Sequence, residues 1–260
     1  MRATAVLDRR DALGESPMYD ARGGRVLWVD VEGPLVHELV PADGGWQAGR
    51  SWTTPGEACA VVPRASGGLL VIVGLELCVL DDDGHLETLV TVDTGGIPAR
   101  FNDCEVDPRG RLVGGWVASD FTPRGEVVTT LFGGISLSNG LDWSPDGATF
   151  YFIDTPLGGI DAFDYDLEDG SVSTRRRIVT IPRGEGVPDG MCVDDDGCIW
   201  TAALYSREIR RYSPDGELIG AIETSAHQVS SCAFGGPDGG ELFITSIGMT
   251  MPATPFGGAR

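Results

Sequence analysis

An oxygen-bearing side chain, a short apolar run and a turn glycine eight positions on recur along this chain at a spacing that few folds can use. Glu15 opens "ESPMYDARG" before Gly23, Asn102 opens "NDCEVDPRG" before Gly110, Asn139 opens "NGLDWSPDG" before Gly147, and Asp189 opens "DGMCVDDDG" before Gly197. The apolar position four residues after each is Tyr19, Val106, Trp143 or Val193; the same register picks out Val62 and, one residue less sharply, Phe234 or Gly235. Neighbouring members lie about 37 to 50 residues apart, the period of propeller blades of four short strands. Between them "RVLWVDV", "GLLVIVG", "RLVGGWVA", "TFYFIDT", "CIWTAAL" and "ELFITSI" are rich in Val, Ile, Trp and Phe and are bounded by Asp-Gly, Gly-Gly and Pro-Asp-Gly turns. No capped helical stripe interrupts them. The pattern predicts an all-β fold, a six-bladed β-propeller made by residues 1–260 as one domain, with the N-terminal "TAVLD" joining the last blade to close the ring. A β-sandwich would show turns at this rate but would not repeat the whole unit six times.

In a propeller the first strand of each blade lines the central channel, so the residue just before it sits at the channel mouth. Glu15, Asn102, Asn139 and Asp189 are then expected to converge, although up to 174 residues separate them. Hard oxygen donors on a rigid scaffold suit Ca²⁺, Mg²⁺ or Mn²⁺ better than a soft metal. The competing reading is that Asn-Gly and Asp-Gly only make turns, which these residues favour. Arg100, beside Asn102, either clamps a carbonyl or hydroxyl at the mouth or forms a surface ion pair with Asp103 or Glu105.

Composition excludes several classes. With 42% apolar residues the 260-residue chain can bury one large core. A formal charge of −20, with no basic cluster longer than Arg175-Arg176-Arg177, repels nucleic acid and anionic membranes. The N-terminus lacks an apolar leader, and "LLVIVGLELCVL" is too short and too broken to span a bilayer, so a cytoplasmic protein is expected. None of the six cysteines forms a CxxC pair and the three histidines are scattered, which points to buried reduced thiols rather than zinc or disulfides. The "DDDG" runs at Asp81–Gly84 and Asp194–Gly197 lack the ligand spacing of a calcium loop and read as hairpin turns. Ser16 in "GESPM" lacks the second glycine of a nucleophile elbow and reads as structural.

Taken together, "GESPMYD", "RFNDCEVDPRGR", "SNGLDWSPDG", "DAFDYD" and "PDGMCVDDDGCIW", in that order, resemble the senescence-marker-protein, gluconolactonase and luciferin-regenerating-enzyme family over nearly the whole chain. The resemblance implies a six-bladed propeller holding one divalent cation, Ca²⁺ foremost and Mg²⁺, Mn²⁺ or Zn²⁺ otherwise, and in many members hydrolysis of a sugar lactone. By matching motif, Glu15, Asn139 and Asp189 resemble the metal ligands, Arg100 and Asn102 resemble substrate-holding residues, and Asp120 falls where the family has a substrate-contacting glutamate. The chain departs from the family at Cys104, which stands for a glycine, and at Trp116, which brings an indole toward the expected substrate pocket. From Asp120 to Asn139 it is about a strand and turn short, so the third blade is expected to be shortened to three strands, and the last blade stops early. The expected chemistry is metal-assisted opening of a lactone ester, the attacking water being deprotonated by Asp189 or delivered as metal-bound hydroxide. The alternative is a calcium-binding or scaffold propeller of the same family without turnover.

Overall fold

The computed structural model describes residues 1–96, 98–118 and 130–249, and it is an all-β propeller. Turn chemistry decides where its strands stop. In the loop after Trp143 the Gly147 N–H returns to the Ser144 carbonyl at 2.7 Å, and the Asp194–Gly197 turn closes the same way at 2.8 Å. The residues between such turns are β-branched and aromatic, and they pair antiparallel with their sequence neighbours.

The first sheet holds β1 (Gly14–Asp20), β2 (Arg25–Asp30), β3 (Leu35–Ala42) and β4 (Gly45–Thr53). The second holds β5 (Ala58–Pro63), β6 (Leu69–Val73), β7 (Glu76–Leu80) and β8 (Leu86–Thr91), and the third pairs β9 (Ala99–Val106) with β10 (Leu112–Ala118). The fourth runs β11 (Ser138–Trp143), β12 (Thr149–Asp154), β13 (Gly159–Tyr165) and β14 (Val172–Thr180). The fifth runs β15 (Val187–Val193), β16 (Ile199–Leu204), β17 (Glu208–Tyr212) and β18 (Leu218–Glu223), and the sixth pairs β19 (Val229–Gly235) with β20 (Glu241–Ser246). The first strand of every sheet touches the first strand of the next, and β19 returns to β1, so six strands ring one axis. The Ser230 hydroxyl seals the return by donating to the Gly14 carbonyl at 2.5 Å. Among the described residues the one helical element is a single 3₁₀ turn, Thr155–Leu157, and no helix is long and apolar enough to cross a membrane.

Apolar side chains fill the spaces between neighbouring sheets. Leu27, Val29, Val61 and Val71 form one such layer between the first two sheets, and Tyr151, Ile153, Ile160 and Ile199 form another between the fourth and fifth. Burying each such side chain stabilises the fold by roughly 1.5–3 kcal/mol.

One expectation is corrected here. "TAVLD" is not a strand of the last sheet: the chain start instead meets the outer strand of the fifth, with Ala3 N–H on the Glu223 carbonyl at 2.8 Å and Glu223 N–H on the Met1 carbonyl at 3.0 Å. The physical reason is that the outer edge of β18 offers the unpaired backbone groups that the incoming chain needs. The expectation of a shortened third blade falls on residues 119–129, which lie outside the described residues; beside the β9–β10 pair a cavity of about 520 Å³ opens between the second and fourth sheets, lined in part by Phe101, Trp116, Phe132, Phe150 and Phe152.

One device recurs at the entry to the ring. Asp30, at the end of β2, accepts the Ala12 and Leu13 N–H groups at 3.0 and 2.9 Å; Asp154, at the end of β12, accepts those of Ser136 and Leu137 at 3.2 and 3.0 Å. Each carboxylate therefore fixes the two residues that lead into β1 or β11. Asp154→Ala is expected to destabilise the protein by about 2–4 kcal/mol, because two N–H groups lose a buried, charged acceptor. Thermal unfolding should show a fall of roughly 2–4 °C for each of those kcal/mol, and an unchanged midpoint would remove the clamp from the account.

Candidate functional site

All six inner strands carry a register shift at the same height. The shifts fall between Glu15 and Met18, Ala58 and Ala60, Asn139 and Leu141, Pro188 and Met191, and Val229 and Cys232; in the third sheet the shift between Gly114 and Trp116 lies opposite Asn102 and Asp103. A bulge turns its side chains out of the ladder and toward the strand end. Asn139-Gly140 and Asp189-Gly190 lie in these bulged strands and are not turns, which disposes of the turn reading at both places. The glycines are there for close approach: a Cβ at Gly140 would sit 2.8 Å from the Asp189 carbonyl oxygen, and one at Gly190 would collide with the Ser231 side chain. The two glycines let β11, β15 and β19 close on one another at the mouth.

Hydrogen bonds then tie the mouth together. Arg100 donates through Nη1 to the Asn102 Oδ1 at 2.8 Å, the Asn102 Nδ2 donates to the Asn139 Oδ1 at 2.8 Å and to the Ser138 carbonyl at 2.7 Å, and the Asn139 Nδ2 donates to the Thr155 Oγ1 at 2.7 Å. Arg100 pairs with neither Asp103 nor Glu105: its Nε lies 3.3 Å from Glu57 Oε1, a carboxylate of the preceding sheet. Asn139 and Asp189 are buried, while Glu15 is half-buried behind Ser16, whose N–H bonds the Glu15 carboxylate from a left-handed conformation (φ 48°). Asp120 lies outside the described residues.

The electrostatics of the mouth are those of crowded carboxyls. Burial raises the Glu15 pKa well above its ordinary value, and the charges of Asp189 and Asp103 raise it further, with Arg100 opposing. Burial, then Asp103, pushes Asp189 to about 8. Three acids below the mouth were not singled out from the sequence. Burial takes Asp103 to about 7 with help from Asp142, Glu105 to about 8 with help from Asp142 and Asp103, and Asp142 to about 6 against hydrogen bonds from the Trp143 and Val193 N–H groups. Five carboxyls from four sheets thus share one channel. The available signal was alternation: Asp103 and Glu105 flank the buried Cys104 with period two, placing both on the opposite face of β9 from the core.

Other sequence features fall elsewhere. The Trp116 ring lies 4.4 Å from that of Phe101 and packs on the core between the second and third sheets, not on the mouth, because its position in β10 faces that core. Cys104 fills the same core opposite Gly114. All six cysteines are free thiols; Cys192 and Cys232 approach to 3.6 Å. His37 is buried between Arg9 and Ser51, and burial with the Arg9 charge lowers it to about 4.

Donor chemistry at the mouth fits a hard divalent cation. Glu15 and Asp189 repel one another there, and the Asn139 Oδ1 is turned toward Asn102 by its neighbours. Among the described residues no three His, Cys, Asp or Glu side chains gather in metal-holding geometry, so a cation here would need two carboxylates and the amide oxygen of Asn139 together.

A sequence profile described as "SMP-30/Gluconolactonase/LRE-like region" matches residues 13–248. Regucalcin of Oryctolagus cuniculus is 34% identical over 92% of this chain and 85% of that protein, and regucalcin of Danio rerio is 32% identical over 97% and 89%. Among solved structures, a luciferin-regenerating enzyme superposes with a TM-score of 0.85 at 28% identity, covering 95% of this chain and 88% of that one. A calcium-binding protein, regucalcin, from Agrobacterium tumefaciens gives 0.84 at 26% identity, covering 95% and 86%.

Carboxyls with raised folded-state pKa values hold protons that the unfolded chain has already released, so stability is lost as pH rises through those values. Asp142, Asp103, Glu105 and Asp189 titrate at about 6, 7, 8 and 8. Chelator-treated protein should therefore melt several degrees lower at pH 9 than at pH 6, at roughly 2–4 °C per kcal/mol, and a saturating divalent cation should shrink the difference. A melting temperature that rises from pH 6 to pH 9 would contradict the crowded-carboxyl description.

Proposed function

Because the chain belongs to the SMP-30, gluconolactonase and LRE-like family, we propose that it is a divalent-cation-dependent hydrolase that opens a sugar lactone. The observation that carries this reading is the hydrogen-bonded run Arg100–Asn102–Asn139, which ends beside the two carboxyls of Glu15 and Asp189. The reading takes residues 1–260 as one cytoplasmic domain and the six sheets as six blades, the third and sixth represented by their inner pairs among the described residues.

Glu15, Asn139 and Asp189 would hold the cation, Ca²⁺ foremost because the Agrobacterium tumefaciens relative is a calcium-binding protein. Bound there, a divalent cation supplies Lewis-acid polarisation of an ester carbonyl and acidification of water. Asp189 takes the proton of the attacking water as its oxygen bonds to the acyl carbon; the ring C–O bond breaks and the proton passes to the released ring oxygen. Arg100, Asn102 and Asp120 orient the ring hydroxyls: Arg100 is anchored by Glu57 and Asn102, so its guanidinium is preorganised toward the mouth. The crowding of carboxyls gives the cation its electrostatic advantage, since their mutual repulsion is relieved when it binds.

A second reading, a calcium-binding propeller without turnover, is favoured by the short stretch of sequence from Asp120 to Asn139, about a strand and turn less than the family pattern. The two are separated by pH-stat assay of a panel of aldonolactones after chelation and after return of Ca²⁺, Mg²⁺, Mn²⁺ or Zn²⁺. The lactonase reading expects metal-dependent turnover, a fall of several decades in Asp189→Ala, which loses both ligand and base, and a milder 5- to 150-fold fall of kcat/KM in Asn102→Ala, on the order of 1–3 kcal/mol. Turnover indifferent to chelation would overturn it; cation binding with no lactone consumed would establish the second reading.

A further inference from the structure

Thr155 sits in the 3₁₀ turn after β12, 2% exposed, and it touches both halves of the proposed cation site. Its hydroxyl accepts from the Asn139 Nδ2 at 2.7 Å and donates to the Pro188 carbonyl at 2.9 Å. Its own N–H donates to the Leu137 carbonyl at 3.1 Å, two residues before Asn139.

The direction of these bonds is settled by which partners can only accept or only donate. The Pro188 carbonyl can only accept, so the single Thr155 proton goes there and the hydroxyl oxygen must receive from Asn139. The NH₂ half of the Asn139 amide therefore faces Thr155, and the oxygen half faces away, toward Asn102. The other end of the chain agrees: Arg100 can only donate and the Ser138 carbonyl can only accept, which orients Asn102 with its NH₂ group on the Asn139 oxygen. An amide oxygen has two lone pairs, so the Asn139 Oδ1 can keep the Asn102 bond and still face a cation.

We propose that Thr155 is the positioning residue of the cation site: its hydroxyl holds the Asn139 amide with the oxygen toward the mouth and, through the Pro188 carbonyl, ties that amide to the strand that carries Asp189. The inference rests on the reading of Glu15, Asn139 and Asp189 as the ligands. Without the hydroxyl the Asn139 NH₂ group has no buried acceptor, so the amide either turns its nitrogen toward the cation or loses its fixed angle. Loss of an outer partner of this kind weakens metal binding by about 10- to 100-fold.

The test compares wild type, Thr155→Val and Thr155→Ser by calorimetric titration of the chelated protein with Ca²⁺ and by melting temperature with and without Ca²⁺. Thr155→Val keeps the shape and removes the hydroxyl, and its Ca²⁺ affinity should fall at least tenfold; Thr155→Ser restores the hydroxyl and should stay within about threefold of wild type. A packing role alone would spare Val and harm Ser, the reverse order. Wild-type affinity retained in Thr155→Val overturns this inference and leaves the ligand set standing. A wild type that binds no divalent cation overturns the ligand set and this inference with it. If Thr155→Val does not fold, NMR of the wild type decides: the Asn139 side-chain amide protons, assigned with Asn139→Asp, should be protected from solvent exchange in the absence of cation, and rapid exchange would refute the proposal.

Discussion

Close approach of backbones at one end of the ring is the constraint from which the mouth follows. Side chains separated by most of the chain length can meet only if the strands beneath them pack nearer than side chains ordinarily permit, and Gly140 and Gly190 remove the Cβ atoms that would stand in the way. The bulges then turn the displaced residues toward the axis. Gly140 and Gly190 thus act through the absence of an atom, and Asn139 and Asp189 act because that absence lets them meet.

Gathering carboxyls on one axis is electrostatically unfavourable, and the rest of the protein is arranged to tolerate it. Away from the channel, three buried acids are matched: Asp161 lies between Arg175 and Arg177, Glu38 between Arg25 and Arg50, and Asp107 between Arg111 and Tyr165. Within the channel Arg100 is the nearby guanidinium that opposes the raised pKa of Glu15. The asymmetry separates acids that build the fold from acids whose protons or counter-ions are exchangeable.

The repeat was legible because each sheet needs the same turn at the same distance from its inner strand, and that spacing survives in sequence as the eight residues from Asn139 to Gly147 or Asp189 to Gly197. The bulges were not legible: Asn-Gly is the strongest short turn signal, and only the neighbouring strand at Asp189 and Met191 reveals that Gly140 is there for clearance. Asp103, Glu105 and Asp142 were passed over because single acids within apolar strands look like solvent-facing positions until the strand is known to face a narrow channel. The N-terminal segment was assigned to the wrong sheet since its sequence says that it can pair but not which edge is open, and the edge of β18 is decided by the fifth sheet alone. Thr155 follows Asp154 in a stretch that reads as the end of a strand, and its contact with Pro188 belongs to the next sheet.

The cavity of about 520 Å³ beside β9 and β10 sets this sector apart from the tightly filled layers between the first and second sheets. It is open to solvent, so water reaches the rings of Trp116, Phe132 and Phe152 where the first two sheets present only packed aliphatic side chains to one another. Local opening costs least where buried apolar contacts are fewest. Amide exchange should therefore be faster along β9 and β11, which carry Asn102 and Asn139 at this border, than along β1 and β5.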